Sequence, residues 1–116
     1  MFCKPIIIEN SRLPVWLSKI APIEVWAFSF AFFIVCRGRM TESTKRHEII
    51  HFYQQLELLF VFQWFLYGLF YLIGRFRYGS WAYAYYLNPF EQEAYDNDDN
   101  KGYLTQRKRW AWVKYI

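Results

Sequence analysis

Thr41-Glu42-Ser43-Thr44-Lys45-Arg46-His47-Glu48-Ile49-Ile50-His51 is the stretch on which the reading of this chain turns. Thr41 to Thr44 is a helix-start signal, in which Ser43 or Thr44 can cap and Glu48 lies close enough to assist the first turn. A long helix is expected to follow, from about Lys45 to Ile73. His47 and His51 then stand one turn apart and only about 40° around the axis, so both imidazoles can reach one ion. Neutral imidazoles suit Zn²⁺ among the common metals. Glu48 flanks the same face, where it can take a proton from a water acidified by the metal.

A catalytic zinc takes three protein ligands and keeps one position open. His47 and His51 are the only histidines in the chain, so the third ligand has to be a carboxylate. The best candidates lie in Pro89-Phe90-Glu91-Gln92-Glu93-Ala94-Tyr95. Pro89 can open a second, short helix behind the Asn88-Pro89 turn, with Glu91 and Glu93 in its first turn. In a helix those two carboxylates point about 200° apart, and only one can face the metal. Tyr95, four residues after Glu91, can hydrogen-bond a ligand or a substrate oxyanion, while Glu93 shares its face with Asn97. Gln54, seven residues after His47, falls almost on the histidine stripe and can support a ligand from behind.

HExxH followed tens of residues later by a Glu-bearing helix resembles the gluzincin arrangement. It is similar to the membrane metallopeptidases of the HtpX and prenyl-protein-processing type, and to the peptidase domain of BlaR-type antibiotic sensors. The string His47 to Leu59, with Asn88 to Tyr95, also resembles small bacterial membrane-associated HExxH proteins. The resemblance implies Glu91 as the third ligand, Glu93 being the rival, and Tyr95 as its supporting partner at the position where those families carry Asp. It also implies a β-strand ahead of the HExxH helix, with substrate pairing along its edge. The implied activity is that of a minimal zinc metallopeptidase. A non-catalytic metal-binding subunit of a membrane complex is the alternative.

Around this stretch the chain is short and greasy. Its 116 residues allow one compact domain. Apolar residues make up 55% and aromatics 24%, too hydrophobic for disorder and more aromatic than a small soluble core needs. Cys3 and Cys36 form no CxxC pair, which excludes a zinc ribbon or a redox motif and leaves two reduced thiols as the expectation.

Residues 1–19, punctuated by Pro5, Asn10-Ser11 and Pro14, read as an irregular arm, and 20–116 as a single zincin-like domain. The apolar runs Ile20 to Phe28 and Ser29 to Cys36 suit strands by length and by β-branched and aromatic content, with one helix over 23–36 as the competitor. The fold class expected is α+β: short strands, the long HExxH helix, then a short Glu-bearing helix.

From Leu58 to Ile73 the long helix is apolar all round, and its 16 residues span roughly 24 Å, short of the ~30 Å of a hydrocarbon core. That suits an interfacial or re-entrant helix, or one buried in a complex, ending at Gly74 to Gly79. Glu57, in this apolar setting, is expected to meet Arg75, Arg77, a tyrosine or water. Basic clusters at Arg37, Arg39, Lys45 and Arg46, at Arg75 and Arg77, and from Arg107 to Lys114 are interleaved with Trp and Tyr. That pattern fits a bilayer interface or a membrane-protein partner. Residues 1–9 lack the pattern of a signal peptide, so the cytoplasmic side of the inner membrane is the expected location. The basic, aromatic tail has the ingredients of a nucleic-acid groove but no accompanying motif.

Overall fold

The computed structural model describes residues 5–14, 16, 27–30, 32–36 and 38–116. Cys3, Val15, Leu17, Arg37 and residues 20–26 of the first apolar run lie outside them. The chain is α+β: a three-stranded sheet precedes the helices, and the HExxH stretch lies on the first long one.

The strands are β1 (Ile6–Ile8), β2 (Ala27–Phe30) and β3 (Phe33–Cys36), in the order β1-β3-β2. β2 and β3 form an antiparallel hairpin from Ala27 opposite Cys36 to Phe30 opposite Phe33, and β1 runs parallel to β3. Two expectations change here. Ile6–Ile8, read as part of an irregular arm, is a sheet strand of three β-branched residues. The run Ser29 to Cys36 is not one strand, because the chain reverses inside it. β3 is flanked on both sides and offers no free edge, and its Ile34, Val35 and Cys36 are buried, as a central strand requires. Cys36 is a free thiol, and burial pushes its pKa up.

Helix α1 (Glu42–Glu57) begins earlier than Lys45 because Thr41, rather than Ser43 or Thr44, is the cap: its side chain accepts from the Thr44 backbone N–H at 3.1 Å. The expected single helix to Ile73 is broken. α2 (Val61–Tyr78) starts after a three-residue corner and leaves α1 at 113°. Leu58, Leu59 and Phe60 are helix-compatible residues, so the corner comes from tertiary contacts overriding local preference. Leu59 (φ 54°) and Phe60 (φ 62°) both sit at positive φ, which costs on the order of 1 kcal/mol or more apiece. The bonds holding the corner are Phe60 N–H to Gln55 O at 2.7 Å and the Trp64 indole N–H to Gln55 Oε1 at 3.0 Å. Phe60 also packs on Phe32 with ring centroids 5.1 Å apart.

α2 runs through Gly74 to Tyr78, and Gly79, at φ 71°, is its left-handed cap. Gly74 is instead a packing residue, since a Cβ there would lie 3.0 Å from Cα and Cβ of Ala84 in α3 (Trp81–Tyr86). α4 (Pro89–Asn97) opens at Pro89, as the sequence reading expects, with Asn88 capping Phe90 N–H at 3.1 Å. A short helix α5 (Tyr103–Gln106) and a terminal 3₁₀ helix (Ala111–Tyr115) follow, and Trp112 of the latter packs on Phe90 at 4.6 Å. Among the described residues no single helix is long and apolar enough to cross a membrane. α1 and α2 together have the length and composition, but with the 113° bend between them.

Candidate metal centre

α1 and α4 pack against each other and close a small polar chamber between their buried faces. His47 and His51 point into it from α1 and Glu91 from α4, each less than a tenth exposed. His47 Nε2 and His51 Nε2 are 3.2 Å apart, and Glu91 Oε1 lies 3.1 Å from the first and 2.9 Å from the second. Glu48 joins the group: ligand atoms of His47, Glu48 and His51 all lie within 4.8 Å of one another, an arrangement able to hold a metal ion.

The surrounding hydrogen bonds decide which atoms face the chamber. Nδ1 of His47 lies 3.0 Å from Asp98 Oδ2, and a carboxylate only accepts, so Nδ1 carries a proton. Nδ1 of His51 lies 2.8 Å from Gln54 Oε1. That amide cannot be turned round, because its Nε2 already donates to Phe90 O at 2.9 Å and to Glu93 Oε1 at 3.0 Å. Both imidazoles therefore turn Nε2 inward, where it offers a lone pair whenever the ring is neutral. With Glu91 Oε1 they form a triangle of three atoms in mutual contact, which either a cation among them or protons on Nε2 donating to Glu91 can hold together. The edges also match a metal: ligands at about 2.0–2.1 Å around a tetrahedral zinc stand roughly 3.3 Å apart, against 2.9 to 3.2 Å here. Glu48 Oε1 is buried beside them with no hydrogen-bond partner among the described residues.

Without a metal, protons supply the missing positive charge. Burial disfavours charge on His51, but the Glu91 carboxylate outweighs it and pushes the pKa up to about 10. His47 is raised for the same balance of reasons. Burial would raise Glu91, yet the two imidazoles pull it far below the usual carboxylate range. Glu48 goes the other way, raised by burial, which suits a group that takes up a proton.

Glu93, the rival third ligand, turns away from the chamber and bonds Gln54, Tyr103 and Arg107. Tyr95 does not bond Glu91. Its ring packs edge-on against His47 at 4.3 Å and its hydroxyl pairs with Tyr85 at 3.2 Å, while burial raises its pKa to about 12. The hydroxyl on Glu91 Oε2 belongs to Tyr67 of α2, which donates at 2.6 Å and whose own pKa burial and Glu91 drive upward. Glu57 meets Arg107, not Arg75 or Arg77, and Arg75 instead lies over the Trp81 ring.

The sequence reading passed over Asp98, Tyr67 and Arg107. Asp98 carried a signal: seven residues after Glu91, two helical turns on, it lies almost on the same face. Tyr67 and Arg107 carried none, because they arrive through the corner after α1 and through the C-terminal segment. Comparison with protein families, with curated proteins and with solved structures finds no match.

Proposed function

We propose that this chain is a zinc-dependent hydrolase, a minimal gluzincin-type metallopeptidase that works at a membrane surface. The observation that supports it is the inward-facing triangle of His47, His51 and Glu91, with Glu48 Oε1 buried beside it and without a hydrogen-bond partner among the described residues. His47, His51 and Glu91 would hold the ion, and two imidazoles with one carboxylate oxygen suit zinc better than the six to eight oxygens that calcium takes. Zinc supplies a Lewis acid that polarises a carbonyl and acidifies water. Glu48 would accept the proton of the attacking water and pass it to the leaving amine, a role its burial-raised pKa fits. Asp98 and Gln54 hold the imidazole tautomers, and Tyr67 fixes the Glu91 carboxylate. Tyr95, whose ring packs against His47, would bind a substrate oxygen through its hydroxyl.

The membrane part rests on α2. Phe62, Phe65, Leu69, Leu72 and Phe76 recur at alternate spacings of three and four, and all are exposed, Phe76 at 88%. A stripe of that kind fits a helix lying in a bilayer interface, with Arg75 and Arg77 in its last turn.

One observation favours the alternative, a non-catalytic metal-binding subunit. Glu48 is close enough to both histidines to be a fourth ligand and close the site. Glu48→Gln separates the two. The hydrolase reading expects normal zinc content and loss of about 100-fold or more in cleavage of a quenched peptide library presented with vesicles. Weakened zinc binding, or full cleavage, in that variant contradicts it.

A further inference from the structure

Behind the chamber lies an ion network that the proposed chemistry does not use. Arg107, on the C-terminal segment just after α5, buries its guanidinium between Glu57 of α1 and Glu93 of α4. Nη1 and Nη2 donate to the two Glu57 oxygens at 3.0 Å each. Nε donates to Glu93 Oε2 at 2.6 Å and Nη2 to Glu93 Oε1 at 3.0 Å, and the Tyr103 hydroxyl adds a bond to Oε2 at 2.7 Å. Glu93 is completely buried. Those donors, together with Gln54, fix the carboxylate in one rotamer.

Among the described residues, the one bond that Glu93 makes toward the chamber is from Gln54 Nε2, at 3.0 Å. An amide can turn over, exchanging oxygen and nitrogen. Turned over, Gln54 would point its oxygen at the Glu93 carboxylate and the Phe90 carbonyl, and its NH₂ at a protonated Nδ1. The position of Glu93, with the Phe90 carbonyl, therefore selects the amide orientation, which turns Gln54 Oε1 toward His51 Nδ1 and leaves His51 Nε2 facing Glu91. Four contacts link the guanidinium to the imidazole, with every donor matched to an acceptor.

The geometry points to Arg107 as a positioning residue of the metal centre, acting through Glu93 and Gln54 on His51. This inference rests on the metal reading above. A clamp serving only to tie α1, α4 and the C-terminal segment together would use the same ion pairs. It would change the stability of the fold and leave the metal affinity of folded protein alone.

The test uses the full chain. Zinc affinity is measured by competition with a chromophoric chelator, and the visible absorption of the Co²⁺-loaded protein reports ligand geometry. Glu93→Gln, which keeps the shape but leaves the Phe90 carbonyl as the one fixed acceptor for the Gln54 amide, is expected to weaken zinc binding about 10-fold and to shift the Co²⁺ bands. Arg107→Met is expected to act in the same direction. Glu57→Gln leaves the Arg107–Glu93 contact in place and is expected to bind within two-fold of wild type. If Arg107→Met does not fold, Glu93→Gln decides. Wild-type affinity and an unshifted spectrum in folded Glu93→Gln, or an equal loss in Glu57→Gln, overturn the inference while the metal reading stands. Failure of the wild type to take up zinc overturns both.

Discussion

Asp98 Oδ2 lies 3.0 Å from Nδ1 of His47, across the α1–α4 contact and on the far side of the imidazole from Glu91. The carboxylate is placed by its neighbours. Arg46 donates to the Asp98 carbonyl, and Ser43 donates to Asp99 at 3.0 Å, so the first turns of α1 grip the end of α4. Asp98→Ala removes the acceptor and frees the imidazole to turn or change tautomer. Zinc affinity is expected to fall about 10–100-fold, and metal-free stability by about 1–3 kcal/mol, because the Asp98 carboxylate is only 14% exposed and its loss leaves His47 Nδ1–H without an acceptor. Chelator competition and thermal melting on the same sample check both halves.

Tyr67 carries a different kind of support. Its hydroxyl donates to a buried carboxylate, a charge-assisted bond. Tyr67→Phe should cost about 1.5–3 kcal/mol, read as a lower denaturant midpoint at unchanged slope. Zinc should recover part of that loss, since metal binding orders Glu91 again. A wild-type midpoint would mean that the bond contributes nothing.

Two glycines in α2 should answer oppositely to the same change. Gly74→Ala forces a methyl to within 3.0 Å of Ala84 backbone and side chain and parts α2 from α3, destabilising by about 1–3 kcal/mol. Gly68→Ala meets nothing within 4 Å in mid-helix and should stabilise by roughly 0.5–1 kcal/mol. Thermal melts of the two variants settle the sign at each position.

The stripe on α2 makes its own prediction. Phe65→Glu and Phe76→Glu, both on highly exposed side chains, should abolish co-sedimentation with anionic phospholipid vesicles while leaving the metal-free melting temperature within a few degrees. Undiminished sedimentation of the double variant would remove α2 as the contact. A monomeric wild type that ignores vesicles would remove the membrane reading altogether.

What the sequence disclosed follows the range of the forces involved. Periodic and local signals were readable: the two histidines one turn apart, Pro89 at the start of α4, the strand-forming content of the residues around Ile34. The corner at Leu58 to Phe60 was not, because three helix-compatible residues are bent there by Gln55, Trp64 and Phe32, contacts formed only once the chain has folded. Everything that the corner delivers was hidden with it, Tyr67 above all. Arg107 was hidden for a related reason. A basic residue in a tail of cations reads as a solvated face, and only the positions of Glu57 and Glu93 single it out as the buried one. Asp98 stood in a run of acids that reads as a loop, although its helical spacing from Glu91 was available.

The central claim is that His47, His51 and Glu91 are three acceptors arranged around a cation. Its most direct measurement is the zinc content of the purified full chain after removal of loosely bound metal, for wild type and for His51→Ala and Glu91→Ala. One zinc per molecule in the wild type, and less than about a tenth of that in each variant, is the predicted result. Zinc-free wild type, or zinc retained at full stoichiometry in both variants, would contradict it.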